Sequence, residues 1–503
     1  MFRPSRLLIV YIIAAPLALI LGYLVSSPNT LSFSVIGMLL FFFALPLLLK
    51  WHHALLVVFW NSAFNVFFLP GAPDAWLPLA ALSFAISFLN HIVFQKPFLR
   101  APGLTVPILF LAAVVLGTAW YRGGIGIRSL GGATYGGRYY IYVLGAIIGY
   151  FALTAEPIPI LKSQKMANLY FLSGTTYALG NLAYTLGPAF SFLFYFVPSG
   201  GASYQVASDY GLTIVNRIGG LAPACIAVLC FLLAHYGIRG LFDWTKPWRL
   251  VFLCVTIGAA FFAGFRSAIA TLFLIFVFQF YFERLMRTHY LPIVAGLAIC
   301  GMAPILFFSS SMPTSVQRAI SFLPVNVDSE VLEAAKSSSD WRFQMWALVS
   351  KEIPKYLIIG KGYSIDPTEL FVVVEAQRMG LTSTFEGSML AGDYHNGPLS
   401  VIIPFGLFGM IAFLWILIAG FRVLYSNYRF GDARLRRINS VLLSYYLSYC
   451  ISFFFIFGAL NSELYVFLGI CGLSVSLNGG VKRRAAPTRK PLPLPQILAM
   501  KPG

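Results

Sequence analysis

Apolar runs follow one another along this chain, each long enough to cross a bilayer as a helix, which takes roughly 17–25 residues. Fourteen spans are predicted, at about 7–26, 32–49, 53–69, 75–94, 103–120, 139–156, 167–187, 220–236, 248–264, 267–282, 290–309, 397–420, 440–459 and 462–478. The run from Phe190 to Phe196 is too short to span and reads as re-entrant or interfacial. The pattern breaks once, between spans 11 and 12, where a polar segment of about eighty residues ends on Gly392-Asp393-Tyr394-His395-Asn396-Gly397. The expected architecture is an all-α integral membrane protein: a bundle of spans 1–11 in residues 1–309, a large helical loop at 310–396, spans 12–14 in 397–480, and a basic, proline-containing tail at 481–503 that reads as disordered.

Inside the loop, Asp340-Trp341-Arg342-Phe343-Gln344-Met345-Trp346-Ala347-Leu348 predicts a helix capped by Ser339 or Asp340 and ending before Pro354, and Thr368 to Arg378 predicts a second. Gly360-Lys361-Gly362 between them is a turn, too short a glycine pattern for a nucleotide loop.

Composition excludes a soluble globule: of 503 residues 59% are hydrophobic and 10% charged, with a mean hydropathy of +0.80. Cys225, Cys230, Cys254, Cys300, Cys450 and Cys471 all lie in apolar spans without metal-type spacing and read as small hydrophobes. The net charge of +18 is a topology signal. Lys and Arg gather in alternate short loops, among them Lys50, Lys96, Arg100, Lys162, Lys165, Arg239, Lys246, Arg249, Arg284, Arg287, Arg422 and Arg429. By the positive-inside rule these loops and both termini are cytoplasmic, and the polar segment is outside. Arg3 and Arg6 precede a first span without a small-residue cleavage site, which reads as an uncleaved anchor. A nucleic-acid partner is disfavoured because the charges are scattered over loops rather than gathered on one domain.

Five arginines fall on the opposite side: Arg122, Arg128 and Arg138 between spans five and six, Arg217 before span eight, and Arg266 in the hairpin Ala263-Gly264-Phe265-Arg266-Ser267-Ala268. No lysine accompanies them in the short outer loops. A guanidinium binds phosphate oxygens as a planar fork, whereas an ammonium is a hydrated point charge. So short a hairpin holds Arg266 near the hydrocarbon, where a charge usually faces a protein cavity; snorkelling to headgroups is the plain alternative. Among the histidines, His52, His53, His91, His235 and His289 fall at cytoplasmic span ends, and His395 alone lies outside. An imidazole, with its ordinary pKa near 6.5, can take a proton from an attacking hydroxyl. It can equally cap span twelve.

The order Arg342 with Trp346, Ile358-Ile359-Gly360-Lys361-Gly362, His395-Asn396, Leu399 and Gly406-Leu407-Phe408-Gly409 resembles the O-antigen ligase and polysaccharide polymerase superfamily. Gly264-Phe265-Arg266-Ser267 and Asn216-Arg217-Ile218-Gly219-Gly220 are similar to that family's outer arginine hairpin and its arginine before a glycine-led span. The resemblance covers about 210–415; earlier residues match only as a row of spans. Pro404 departs from the family, which often has an acidic residue there to orient the histidine, and Asp393 stands as its substitute.

The resemblance implies a glycosyltransferase of a bacterial inner membrane, active on the periplasmic face, with an undecaprenyl-diphosphate-linked glycan as donor and no cofactor or metal. Arg266 and Arg217 would stabilise the leaving diphosphate, and His395 would deprotonate or orient the acceptor hydroxyl for inverting attack. Arg342, Asn396, Asp393, Arg138, Arg128 and Arg122 are candidate substrate-binding residues. The acceptor is a glycolipid for a ligase or another lipid-linked repeat unit for a polymerase, with a protein acceptor less favoured. Membrane lipids and envelope-polysaccharide assembly proteins are the remaining expected partners. A flippase of lipid-linked oligosaccharides is the reading from another class; the long outer segment and the lack of an internal repeat weigh against it. A purely structural scaffold leaves the lysine-free outer arginines unexplained.

Overall fold

The computed structural model describes residues 6–26, 30–124, 137–197, 204–207, 214–381 and 385–483. The first helices are α1 (Arg6–Ser26), α2 (Thr30–Phe59), α3 (Trp76–Phe94), α4 (Pro102–Arg122) and α5 (Gly137–Leu153). α6 (Ile160–Leu172) and α7 (Tyr177–Leu186) precede a short antiparallel hairpin, β1 (Tyr204–Ala207) with β2 (Ile214–Arg217). Next come α8 (Leu221–Leu241), α9 (Trp248–Phe262), α10 (Arg266–Phe282) and α11 (Tyr290–Phe307). The polar segment folds as α12 (Thr314–Ile320), α13 (Ser329–Ser350), α14 (Ile353–Tyr356), α15 (Pro367–Arg378) and α16 (Phe385–Ala391). The chain closes with α17 (Gly397–Phe430), α18 (Arg436–Phe455) and α19 (Leu460–Asn478).

Among the described residues, eight helices are long and apolar enough to cross a membrane, with four shorter apolar ones beside them, against the fourteen spans expected. Part of the difference lies in α2, which unites the spans expected at 32–49 and 53–69. Residues 60–75 then run as turns around an Asn65–Asp74 bridge, because Pro70, Gly71 and Pro73 leave no room for a helix. The span expected at 167–187 is composite, since α6 passes through a tighter 3-10 turn at 173–176 before α7. The hairpin β1–β2 was not anticipated. α19 is enclosed, with 78% of its apolar window buried, whereas α11 has 0% buried and touches the core only partly, through Tyr290, Ile293 and Val294 near its start.

α13 starts at Ser329, well before the expected Ser339 or Asp340, while α15 matches its expected range, with the Asp366 carboxylate accepting from Thr368 N at 2.8 Å.

α17 is broken in its first half. Pro404 removes a donor, and Gly406 sits at φ +63, the left-handed region that favours glycine. Backbone groups in an apolar bundle need partners, and the polar segment supplies them. Lys361 N donates to Ile403 O at 2.8 Å, Gly362 N to Pro404 O at 2.9 Å, and Leu407 N to Leu357 O at 2.7 Å. Gly360 makes this approach possible, because a Cβ there would stand 2.0 Å from Pro404 O. The Gly360-Lys361-Gly362 turn therefore closes a gap in a helix, with Arg122 Nε bound to Gly360 O at 2.9 Å behind it.

Candidate active site

His395 sits in the turn that leads into α17, at φ +48. Asn396 caps that helix, its Oδ1 accepting from Leu399 N at 3.0 Å, and Trp346 of α13 donates Nε1–H to Tyr394 O at 2.8 Å. Leu460 N donates to Ser400 Oγ at 2.9 Å, tying the start of α19 to the start of α17. Backbone and cap thus position the histidine. Its ring lies between Trp341 of α13 and Phe457 before α19, at centroid distances of 5.5 and 5.3 Å. Nδ1 stands 3.3 Å from Asp393 Oδ1, an ion-pair distance, but off hydrogen-bond geometry, so among the described residues Nδ1 has no hydrogen-bond partner. The side chains of His395 and Asp393 remain 26% and 44% exposed, which leaves them reachable by a substrate.

Arg266 is the first residue of α10, delivered by the turn at Gly264. Its Nη2 donates to Ala335 O at 3.4 Å and to Ser339 Oγ at 3.3 Å, both on α13. Ala335, Ser339, Arg342 and Trp346 recur at intervals of four, three and four residues, so they share one face of α13. That face runs from Arg266 to the histidine turn and places Arg342 between them.

The electrostatics join the same groups. Burial lowers the pKa of Arg342, the neighbouring Arg266 lowers it further, and Asp393 opposes both. Burial likewise holds His395 below the ordinary imidazole value; Asp393 opposes the shift and Arg342 adds to it. Two guanidiniums, one imidazole and one carboxylate thus form a half-buried cluster, positive in balance, with the imidazole biased to its neutral form. Such a cluster can hold a diphosphate and accept a proton.

The other predicted arginines lie elsewhere. Arg122 is committed to the carbonyls of Gly360 and Ile359 at 2.9 and 3.4 Å. Arg138 donates to Tyr142 OH at 3.2 Å, and that hydroxyl accepts from Asp74 N at 3.4 Å. Its neighbour Tyr139 is within electrostatic range of Asp393 and packs on Tyr363 at 5.2 Å, so this corner adjoins the cluster. Arg217 closes β2 in register with Tyr204, and Arg128 lies outside the described residues.

Sequence reasoning missed Trp341 and Phe457 as walls of the histidine. Among 47 Phe and 9 Trp nothing in the sequence singles out those two rings.

Residues 250–414 match the family model described as O-antigen ligase. The matched segment contains Arg266, Arg342, Asp393, His395 and Asn396, and leaves out Arg122, Arg128, Arg138 and Arg217. No curated protein matches the chain significantly. The match supports membership of the O-antigen ligase and polymerase superfamily, and with it a membrane glycosyltransferase type.

Proposed function

We propose, from the premise of an O-antigen ligase domain at 250–414, that the chain transfers a glycan from an undecaprenyl-diphosphate donor to an acceptor hydroxyl on the periplasmic face of the inner membrane. The observation that carries this reading is the placement of Arg342 between Arg266 and a neutral-leaning His395 at the start of α17. The acceptor oxygen attacks the anomeric carbon, the bond from that carbon to the diphosphate oxygen breaks with inversion, and the hydroxyl proton passes to the imidazole. Negative charge gathers on the departing undecaprenyl diphosphate, where preorganised guanidiniums stabilise it in the role a metal plays elsewhere. Arg266 and Arg342 are the pair that the geometry favours for that clamp, with Arg217 as a further candidate. Asp393 steadies the imidazolium formed. The acceptor is a glycolipid or another lipid-linked glycan.

His395→Ala tests the proposal. The protein should insert and bind lipid-diphosphate donor, because the arginines remain, while transfer falls by roughly a hundredfold to ten-thousandfold, the usual share of a general base. Transfer at a near-normal rate would reduce His395 to a turn residue. Loss of donor binding together with turnover would make it a diphosphate ligand instead.

A further inference from the structure

At its far end α17 borders a second feature unrelated to the histidine. A cavity of about 640 Å³ opens between the start of α4 and the last turns of α17, lined by Arg100, Arg422 and Arg483 and walled by Val106, Trp415 and Val423. The three arginines come from three distant parts of the chain. Arg483 is brought there by anchoring of the segment after α19: Lys482 N donates to Asn427 Oδ1 at 2.9 Å, and Ser426 Oγ is hydrogen-bonded to Lys482 O. Asn427 is itself held in a buried network, with its Nδ2 on Ser474 Oγ at 3.0 Å and its carbonyl accepting from Asn439 Nδ2 at 3.1 Å. Among the described residues, no Asp or Glu lines the cavity. Arg422 lies 16 residues beyond the break at Gly406, about 24 Å along the second part of α17 at 1.5 Å per residue. The groove therefore sits at the end of α17 remote from the candidate active site.

We infer that this groove is a binding site for an anionic phospholipid. The guanidiniums take the phosphate as forked donors, and an acyl chain lies along the apolar wall of Val106, Trp415 and Val423. Free phosphate would satisfy the first half and leave the wall unused. Basic loops set by topology alone need neither the convergence of three segments nor that wall.

The test uses the full chain in neutral detergent. Phosphatidylglycerol should raise its unfolding temperature, phosphatidylcholine and inorganic phosphate should not, and the triple variant Arg100→Gln, Arg422→Gln, Arg483→Gln should lose more than half of the shift. Arg434→Gln, at an arginine paired with Asp432 at 2.8 Å and outside the groove, should keep it. If the triple variant fails to fold, Arg422→Gln alone should show a reduced shift. An undiminished shift in these groove variants, or an equal response to inorganic phosphate, overturns the inference.

Discussion

Gly360→Ala offers a sharp test of how the outer segment and α17 are joined. The new Cβ would stand 2.0 Å from Pro404 O, where real Cβ atoms stay beyond 3.0 Å, so the two backbones must part by about 1 Å. That takes Lys361 N→Ile403 O and Gly362 N→Pro404 O from 2.8 and 2.9 Å past the limit of a hydrogen bond. Two N–H groups left unpaired beside an apolar bundle cost about 1–3 kcal/mol each, or about 2–6 kcal/mol together. Against a typical total of about 5–15 kcal/mol this is a large fraction. Thermal unfolding in detergent, followed by tryptophan fluorescence, should show a clear drop for Gly360→Ala. Lys361→Ala keeps the backbone N–H and should show none. Wild-type unfolding of Gly360→Ala would refute the reasoning, because no flexible side chain is available to absorb the clash.

Arg266→Lys should lose glycan transfer nearly as completely as Arg266→Ala, by roughly a hundredfold to a thousandfold, since one ammonium cannot reproduce a fork; substantial rescue by lysine in a membrane assay would disprove the bidentate role. The transfer rate should fall as pH drops through a His395 pKa below the ordinary value, because an imidazolium cannot accept a proton. Asp393→Asn removes a charge that raises that pKa and should move the acid limb to lower pH, whereas Arg342→Gln should move it higher; limbs that do not move would detach these groups from the base. A cysteine at Ser337 should react with an impermeant thiol reagent in cells with a permeabilised outer membrane and one at Ser426 should not, and the reverse labelling would invert the proposed topology.

Much of this was readable from residue order. Hydropathy located most of the helices because burying or embedding an apolar face leaves a direct mark on composition. It could not show that α2 runs unbroken from Thr30 to Phe59, since it marks apolar runs and is silent about where a helix bends or continues. The first half of α13 escaped because Ser329 to Ser339 has only Val331 and Ala335 buried, and its serines and charges do not show an apolar stripe. Arg266 was singled out because a charge next to hydrocarbon is costly, His395 because it is the one histidine expected outside, and Arg342 and Asp393 only through the family resemblance. Whether a guanidinium is available to a ligand was not readable. Arg122 and Arg266 look alike in sequence, but the carbonyls that occupy Arg122 belong to residues more than two hundred positions away.

Arg266 is also occupied, though loosely. Its bonds to Ala335 O and Ser339 Oγ, at 3.4 and 3.3 Å, are near the limit of useful hydrogen bonding, so an incoming anion can outcompete them at little cost. An anion that takes this guanidinium takes it from α13, the same helix that carries Arg342, Trp341 and Trp346. Donor capture and the seating of α13 are then linked, and the linkage runs equally in both directions. For the proposed lipid-diphosphate donor this means that donor binding and the shape of the surface beside the histidine change together, whichever ligand enters first.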